Sequence, residues 1–157
     1  MAIILSLLGL YIGAAQAALG VKVVDGDSIF LGQTEIRLEG IDAPEYHQNC
    51  YNEANKAYPC GKLAYEALKN LIGTKSVRCR KIVKDKYHRE VSECWVGDIN
   101  INEWMVKNGW AVAYTRYTKA YEQAQSEAKS ARRGIWQGRF LKPEYYRILQ
   151  KEATKQH

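Results

Sequence analysis

With 157 residues, 46% of them apolar and 25% charged, the chain holds enough apolar side chain for the core of about one ordinary domain. No internal repeat or low-complexity tract appears, which excludes a repeat array. Lys and Arg number 23 against 17 Asp and Glu, and the formal charge of +6 favours polyanions such as nucleic acid or anionic membranes.

Residues 1–17 carry no charged side chain: an apolar run from Ile3 to Ile12 leads into small residues ending Ala15-Gln16-Ala17. This pattern predicts a secretory signal peptide cut after Ala17, although no Lys or Arg precedes the apolar run. A first buried strand or helix is the plainer alternative, and the run is short for a membrane span. Val21–Val24 reads as a strand ending at the Asp25-Gly26 turn, and Ser28–Leu31 as a second. After the Gly32-Gln33 turn, Thr34–Glu39 alternates polar and apolar side chains as a half-buried strand does.

Residues 45–59 read as a polar, aromatic surface loop. Gly61–Leu71 has helical apolar spacing at Leu63, Ala64, Ala67, Leu68 and Leu71, with Gly73 as the stop. Val77–Val83 and Glu90–Val96 form a predicted hairpin. A short helix opens at Asn102-Glu103 and closes at Asn108-Gly109, and a last one runs from an N-cap at Thr118 to Arg133. The fold class is therefore α+β, mainly β: a five-stranded OB-fold barrel with about three helices, one inserted after the third strand. The expected organisation is the signal segment 1–17, one domain over 18–140, and a helical or flexible tail over 141–157.

Cys79 lies seven residues before Lys86, and Cys94 lies seven after Tyr87. They face each other if the hairpin forms, at a spacing that allows a disulfide. Cys50 and Cys60 would then close a nine-residue loop. Four cysteines allow three connectivities; an even count in an exported chain favours this pairing, whereas in the cytosol all four would stay reduced. No C-x-x-C pair supports a zinc site.

Three carboxylates (Asp27, Asp42, Glu45) and two guanidiniums (Arg37, Arg89) fall at turns and strand positions among short apolar segments. Phosphodiester hydrolysis needs a held cation, an activated water and donors for the charge that develops on phosphorus. Asp27 and Asp42 offer the hard oxygens that calcium or magnesium prefers, and Ala43 a backbone carbonyl. Glu45 is placed to accept a proton, and Arg37 and Arg89 to clamp non-bridging oxygens. Lys86 and Tyr87 at the hairpin tip can hold a neighbouring phosphate. Taken singly, each piece has an ordinary reading: Asp-Gly is a stock turn dipeptide, and Arg37 on an alternating strand suits a solvated face. His47, His88 and His157 have no catalytic setting, and the four tryptophans suit packing. Replacing Arg37 or Glu45 by Ala is expected to spare the fold, since both are read as solvent-facing.

The runs from Val23 to Ile29, Ile36 to Glu45, and Asp85 to Arg89, followed by Asn102–Trp110, Ala113-Tyr114 and Arg133–Trp136, resemble the staphylococcal-type nuclease (thermonuclease) family in order over residues 20–136. The resemblance implies an OB-fold and calcium-dependent cleavage of DNA and RNA to 3′-phosphate ends. It makes Asp27, Asp42 and the Ala43 carbonyl ligands of one Ca2+ ion, and Arg37, Glu45 and Arg89 the catalytic trio. Lys86, Tyr87 and Tyr114 become substrate contacts. Ser28 and Ala43 each stand where the family usually has Thr, and His88 where it has Gly. Near Tyr114 a second tyrosine is displaced, with Arg116 and Tyr117 in the neighbourhood. The implied protein is a secreted or periplasmic monomer that acts on nucleic acid, without stable membrane association once processed. The rival is a non-catalytic OB-fold module that binds nucleic acid or protein; a retired site should have lost one of the five polar residues, and all five are present.

Overall fold

Along Thr34–Leu38 the alternation puts Ile36 and Leu38 on one face, and both are buried. The computed structural model describes residues 20–155; the predicted signal segment and His157 lie outside the described residues. In chain order the elements are β1 (Val21–Val23), β2 (Ser28–Leu31), β3 (Thr34–Leu38), β4 (Ile41–Asp42), β5 (Cys50–Tyr51), β6 (Ala57–Tyr58) and α1 (Cys60–Ile72). They continue with β7 (Val77–Lys84), β8 (Glu90–Val96), β9 (Ile99–Asn100), α2 (Ile101–Lys107), β10 (Val112–Ala113), α3 (Glu122–Ser130), a 3₁₀ turn (Gly134–Gln137) and α4 (Pro143–Lys155).

The main sheet is ordered β1-β2-β3-β8-β7, with β9 on the far end of β8. Every pairing is antiparallel except β3 with β8. Five longer strands in this order, with a helix between the third and fourth, have OB-fold connectivity, and the fold class is α+β, mainly strand. Among the described residues β1 and β7 do not pair, so the ladder stays open. Ile29, Ile36, Leu38 and Ile41 pack with Leu68 of α1 and Met105 of α2 into the main core. Trp104 and Trp110 pack against that core, and Trp136 meets Phe140 edge-to-face.

Both expected disulfides are present. Cys79 and Cys94 are directly opposite in the β7–β8 register, and Cys50 joins β5 to Cys60 at the start of α1. Among the described residues no helix is long and apolar enough to cross a membrane.

Three helical expectations are corrected. The helix predicted from Thr118 begins at Glu122, because the Thr118 hydroxyl accepts the Ala120 N–H and closes a turn of its own. It ends at Ser130 rather than Arg133, and Arg132 turns left-handed at φ 53°. The helix predicted from Asn102 is instead capped by Asn100, whose side chain accepts the Glu103 N–H at 3.0 Å. Asn102 is fully buried: it accepts from Cys94 N and donates to the carbonyls of Glu39 and Ser92, stitching β8 to the end of β3. There are also four α-helices rather than about three. The fourth, α4, starts with Pro143, whose missing N–H would have been an orphan donor there in any case.

Candidate active site

Sheet register assembles the site. Ser28 is paired with Arg37, and Arg37 with Val91, so the Asp25–Asp27 turn and the Asp85–Arg89 tip flank the same strand residue. The Asp25-Gly26-Asp27 turn is closed by the Asp25 carboxylate, which accepts the Asp27 N–H at 3.0 Å. Gly26 permits the next approach: a Cβ there would lie 2.7 Å from the Ala43 Cβ. The turn thus abuts the chain at Ala43, whose N–H donates to Asp27 Oδ2 at 2.6 Å.

Arg37 lies between the two aspartates, paired with Asp27 Oδ1 and donating to Asp42 Oδ1 at 3.0 Å. Its side chain is 17% exposed, against 7% and 2% for Asp27 and Asp42. This corrects the expectation of a solvent-facing arginine: without Arg37, two buried carboxylates would face each other with less neutralising charge. Burial pushes the Arg37 pKa below its usual value, opposed by the charges of Asp42 and Asp25. Burial likewise raises the Asp25 pKa, with the Arg37 charge opposing it.

Glu45 follows Pro44 in the loop after β4. Its N–H donates to Gln48 Oε1 at 3.2 Å, and its carbonyl accepts the Gln48 N–H at 2.7 Å. Only glycine fits at position 61 in the first turn of α1, since a Cβ there would sit 1.7 Å from the Glu45 carbonyl oxygen. The loop bearing Glu45 is therefore clamped between Gln48 and α1.

At the hairpin tip, Asp85 accepts the N–H groups of Tyr87 and Arg89, while its second oxygen takes Arg89 Nε at 2.8 Å. Burial works to raise the Asp85 pKa, but these bonds and the Arg89 charge outweigh it and leave it lowered. Arg89 also lies over the Tyr87 ring, 5.5 Å from its centroid, and its charge is felt by Asp25 and Arg37. His88 has φ 66°, the left-handed conformation that glycine adopts readily, so the tip keeps the turn a glycine would give.

These groups line one cleft of about 970 Å³ between the β7–β8 tip and α4. Asp27, Arg37, Asp42, Glu45, Lys86, Tyr87, Arg89 and Tyr114 all face it. Ala43 does not: it is 3% exposed and is seen contributing its N–H. None of the four tryptophans lines the cleft.

Three cleft cations and one aromatic were not singled out as site residues from sequence: Lys84 at the end of β7, Arg147 and Lys151 on α4, and Tyr117. Arg147 donates from Nη1 to Asp42 Oδ1 at 2.9 Å and to Glu45 Oε1 at 2.8 Å, and from Nη2 to Asp42 Oδ2 at 3.1 Å. Burial opposes its charge, but the bonds to Asp42 and Glu45 outweigh that and raise its pKa. Tyr114 ties α4 down further, donating to Glu144 Oε1 at 3.2 Å. No local signal marks Arg147, since an arginine in an amphipathic tail ordinarily reads as a solvated helix charge.

Among the described residues no three His, Cys, Asp or Glu side chains cluster as a metal site by themselves. The donor chemistry nevertheless fits a hard cation. Asp27 and Asp42 are gathered by one guanidinium, and both bring anionic oxygen, which suits calcium or magnesium completed by water and backbone oxygen.

The family model described as Staphylococcal nuclease homologue matches residues 35–138. The chain is 36% identical over 128 residues to the succinoglycan biosynthesis protein ExoI of Rhizobium meliloti (strain 1021), covering 79% of this chain and 67% of that one. It is 31% identical over 127 residues to the thermonuclease of Staphylococcus hyicus, covering 74% and 73%. The thermonuclease of Staphylococcus intermedius is 34% identical over 127 residues with the same coverage. The chain spans only about a third of the length of three matching proteins of Oryza sativa subsp. japonica, each named a probable staphylococcal-like nuclease. The chain belongs to the staphylococcal nuclease homologue family.

Proposed function

We propose that the protein is a secreted or periplasmic nuclease that acts as a monomer and uses one Ca2+ ion to hydrolyse phosphodiester bonds of DNA, RNA or both, leaving 3′-phosphate ends. The observation that carries this reading is the convergence of Asp27, Arg37, Asp42, Glu45 and Arg89 on one cleft. Two disulfides support export to an oxidising compartment.

Asp27 and Asp42 would hold the cation, which would neutralise phosphate charge and polarise water. Glu45 takes the proton from the attacking water as its oxygen bonds to phosphorus. Arg37 and Arg89 donate to the non-bridging oxygens as negative charge builds there, and are always charged. The P–O5′ bond breaks, the phosphate stays on the 3′ side, and O5′ takes up a proton. Asp85 aims Arg89 by holding its Nε, leaving the remaining donors of that guanidinium for substrate. Lys86 and Tyr87 at the exposed tip, with Tyr114 across the cleft, contact the neighbouring phosphate, sugar and base.

The test is Glu45→Ala. Turnover should fall by orders of magnitude while the melting temperature and DNA binding stay near those of the parent. Cutting at the parental rate would remove Glu45 from the role of base, and a parent that binds DNA without cutting would leave the binding module.

A further inference from the structure

Glu45 is 36% exposed in its side chain and stands on a loop, a setting in which a glutamate ordinarily samples several rotamers. Its backbone is fixed by Gln48 and by the close packing of Gly61. Among the described residues its carboxylate has one side-chain partner, Arg147, more than a hundred residues away on α4. A single nitrogen of Arg147, Nη1, serves both Glu45 Oε1 and Asp42 Oδ1, at 2.8 and 2.9 Å. The base is thereby held at a set separation from an aspartate that Arg37 has already locked in place.

The helix carrying Arg147 is itself tied to the site. The carbonyl of Leu141, just before α4, accepts from the buried Gln48 amide at 2.7 Å. Glu144 in its first turn bonds Tyr114 and pairs with Arg116 at 3.3 Å. Of the side chains of α4, only Pro143 is buried, so polar ties place this helix more than apolar burial does.

We propose that Arg147 is a positioning residue: it bridges Asp42 and Glu45 and holds the carboxylate of Glu45 in the orientation from which it takes the proton of the attacking water. A guanidinium suits this work, because its planar fork carries several donors at fixed angles and is always charged. Lysine brings one compact ammonium and holds the two carboxylates less rigidly. The inference rests on the nuclease reading, since it assigns Arg147 to the base of that reaction.

The experiment compares the parent protein with Arg147→Gln and Arg147→Lys on a short single-stranded oligonucleotide at saturating calcium, with kcat and KM separated. Thermal melting is recorded beside the kinetics. Loss of a fixed base orientation should lower kcat in Arg147→Gln by about 10- to 100-fold, with KM changed less than about threefold if Arg147 does not bind substrate. Arg147→Lys should recover part of kcat while melting close to the parent, which a merely structural role would not produce. An unchanged or increased kcat in Arg147→Gln would overturn the inference and make α4 a dispensable or obstructing strap. A rise in KM with kcat intact would also overturn it, placing Arg147 on the substrate. A folded parent that cuts nothing would remove the nuclease reading and this role together, whereas an active parent with an indifferent Arg147→Gln sinks this inference alone.

Discussion

Gln48→Leu tests how the site is built. The Gln48 side chain is fully buried and nearly isosteric with leucine, so the substitution leaves little void. What it removes are two hydrogen bonds: Glu45 N–H to Oε1 at 3.2 Å, and Nε2 to the Leu141 carbonyl at 2.7 Å. Each is worth about 0.5–1.5 kcal/mol net, and each partly buried partner left unpaired adds up to about 1–3 kcal/mol. The leucine recovers some of this by apolar burial, so the expected loss is about 2–4 kcal/mol. At about 2.1 cal/mol/K of unfolding entropy per residue over residues 20–155, that lowers Tm by about 7–14 °C. Urea unfolding at constant m checks the free energy, and scanning calorimetry checks Tm. Because the same amide orders Glu45 and the start of α4, kcat should also fall in protein kept well below its new Tm. A Tm within about 2 °C of the parent would refute the claim that Gln48 organises this corner.

Arg37→Ala leaves Asp27 and Asp42 buried with a guanidinium fewer and should cost about 3–5 kcal/mol in chelator, read by denaturant melts; an unchanged midpoint would mean the two carboxylates are not held by Arg37. The pKa of Asp85 is lower in the folded protein than in the unfolded chain, so its contribution to stability is complete above about pH 4 and is lost as pH falls through the folded value. An NMR titration should give the Asp85 carboxyl a midpoint below about 3.9, and a midpoint above it would contradict the Asp85–Arg89 anchor. His88→Gly replaces a left-handed residue by one that adopts that conformation freely: relief of about 1 kcal/mol is offset by a comparable gain in unfolded-chain entropy. Tm and kcat should therefore stay close to the parent, and a large loss of either would show that the imidazole itself has a role.

The sequence carried what is local. Period-two alternation in Thr34–Leu38, the turn at Asp25-Gly26 and the symmetric cysteines about the hairpin tip each act over a few residues, and they located Asp27, Arg37, Asp42, Glu45 and Arg89. The chain between Thr118 and Glu122 was misread because a threonine before a helical stretch has two uses, as helix cap or as a small turn, and here it makes the turn. The Gln48 bond to Leu141 and the bonds of Arg147 were not legible, since they run to residues 93, 102 and 105 positions away. A buried amide in a polar loop and an arginine in a tail helix both look solvated until the tertiary structure brings their partners in. The solvent-facing reading of Arg37 failed for the same reason, because an alternating strand does not reveal that its polar face lies between two carboxylates.

The most direct measurement is cleavage of end-labelled single- and double-stranded DNA by the purified protein in calcium, in magnesium and in chelator, with the product ends identified. Cutting that needs calcium, leaves 3′-phosphate ends and is abolished in Glu45→Ala is the predicted result. A folded protein that binds DNA yet cuts it under none of these conditions would contradict the account.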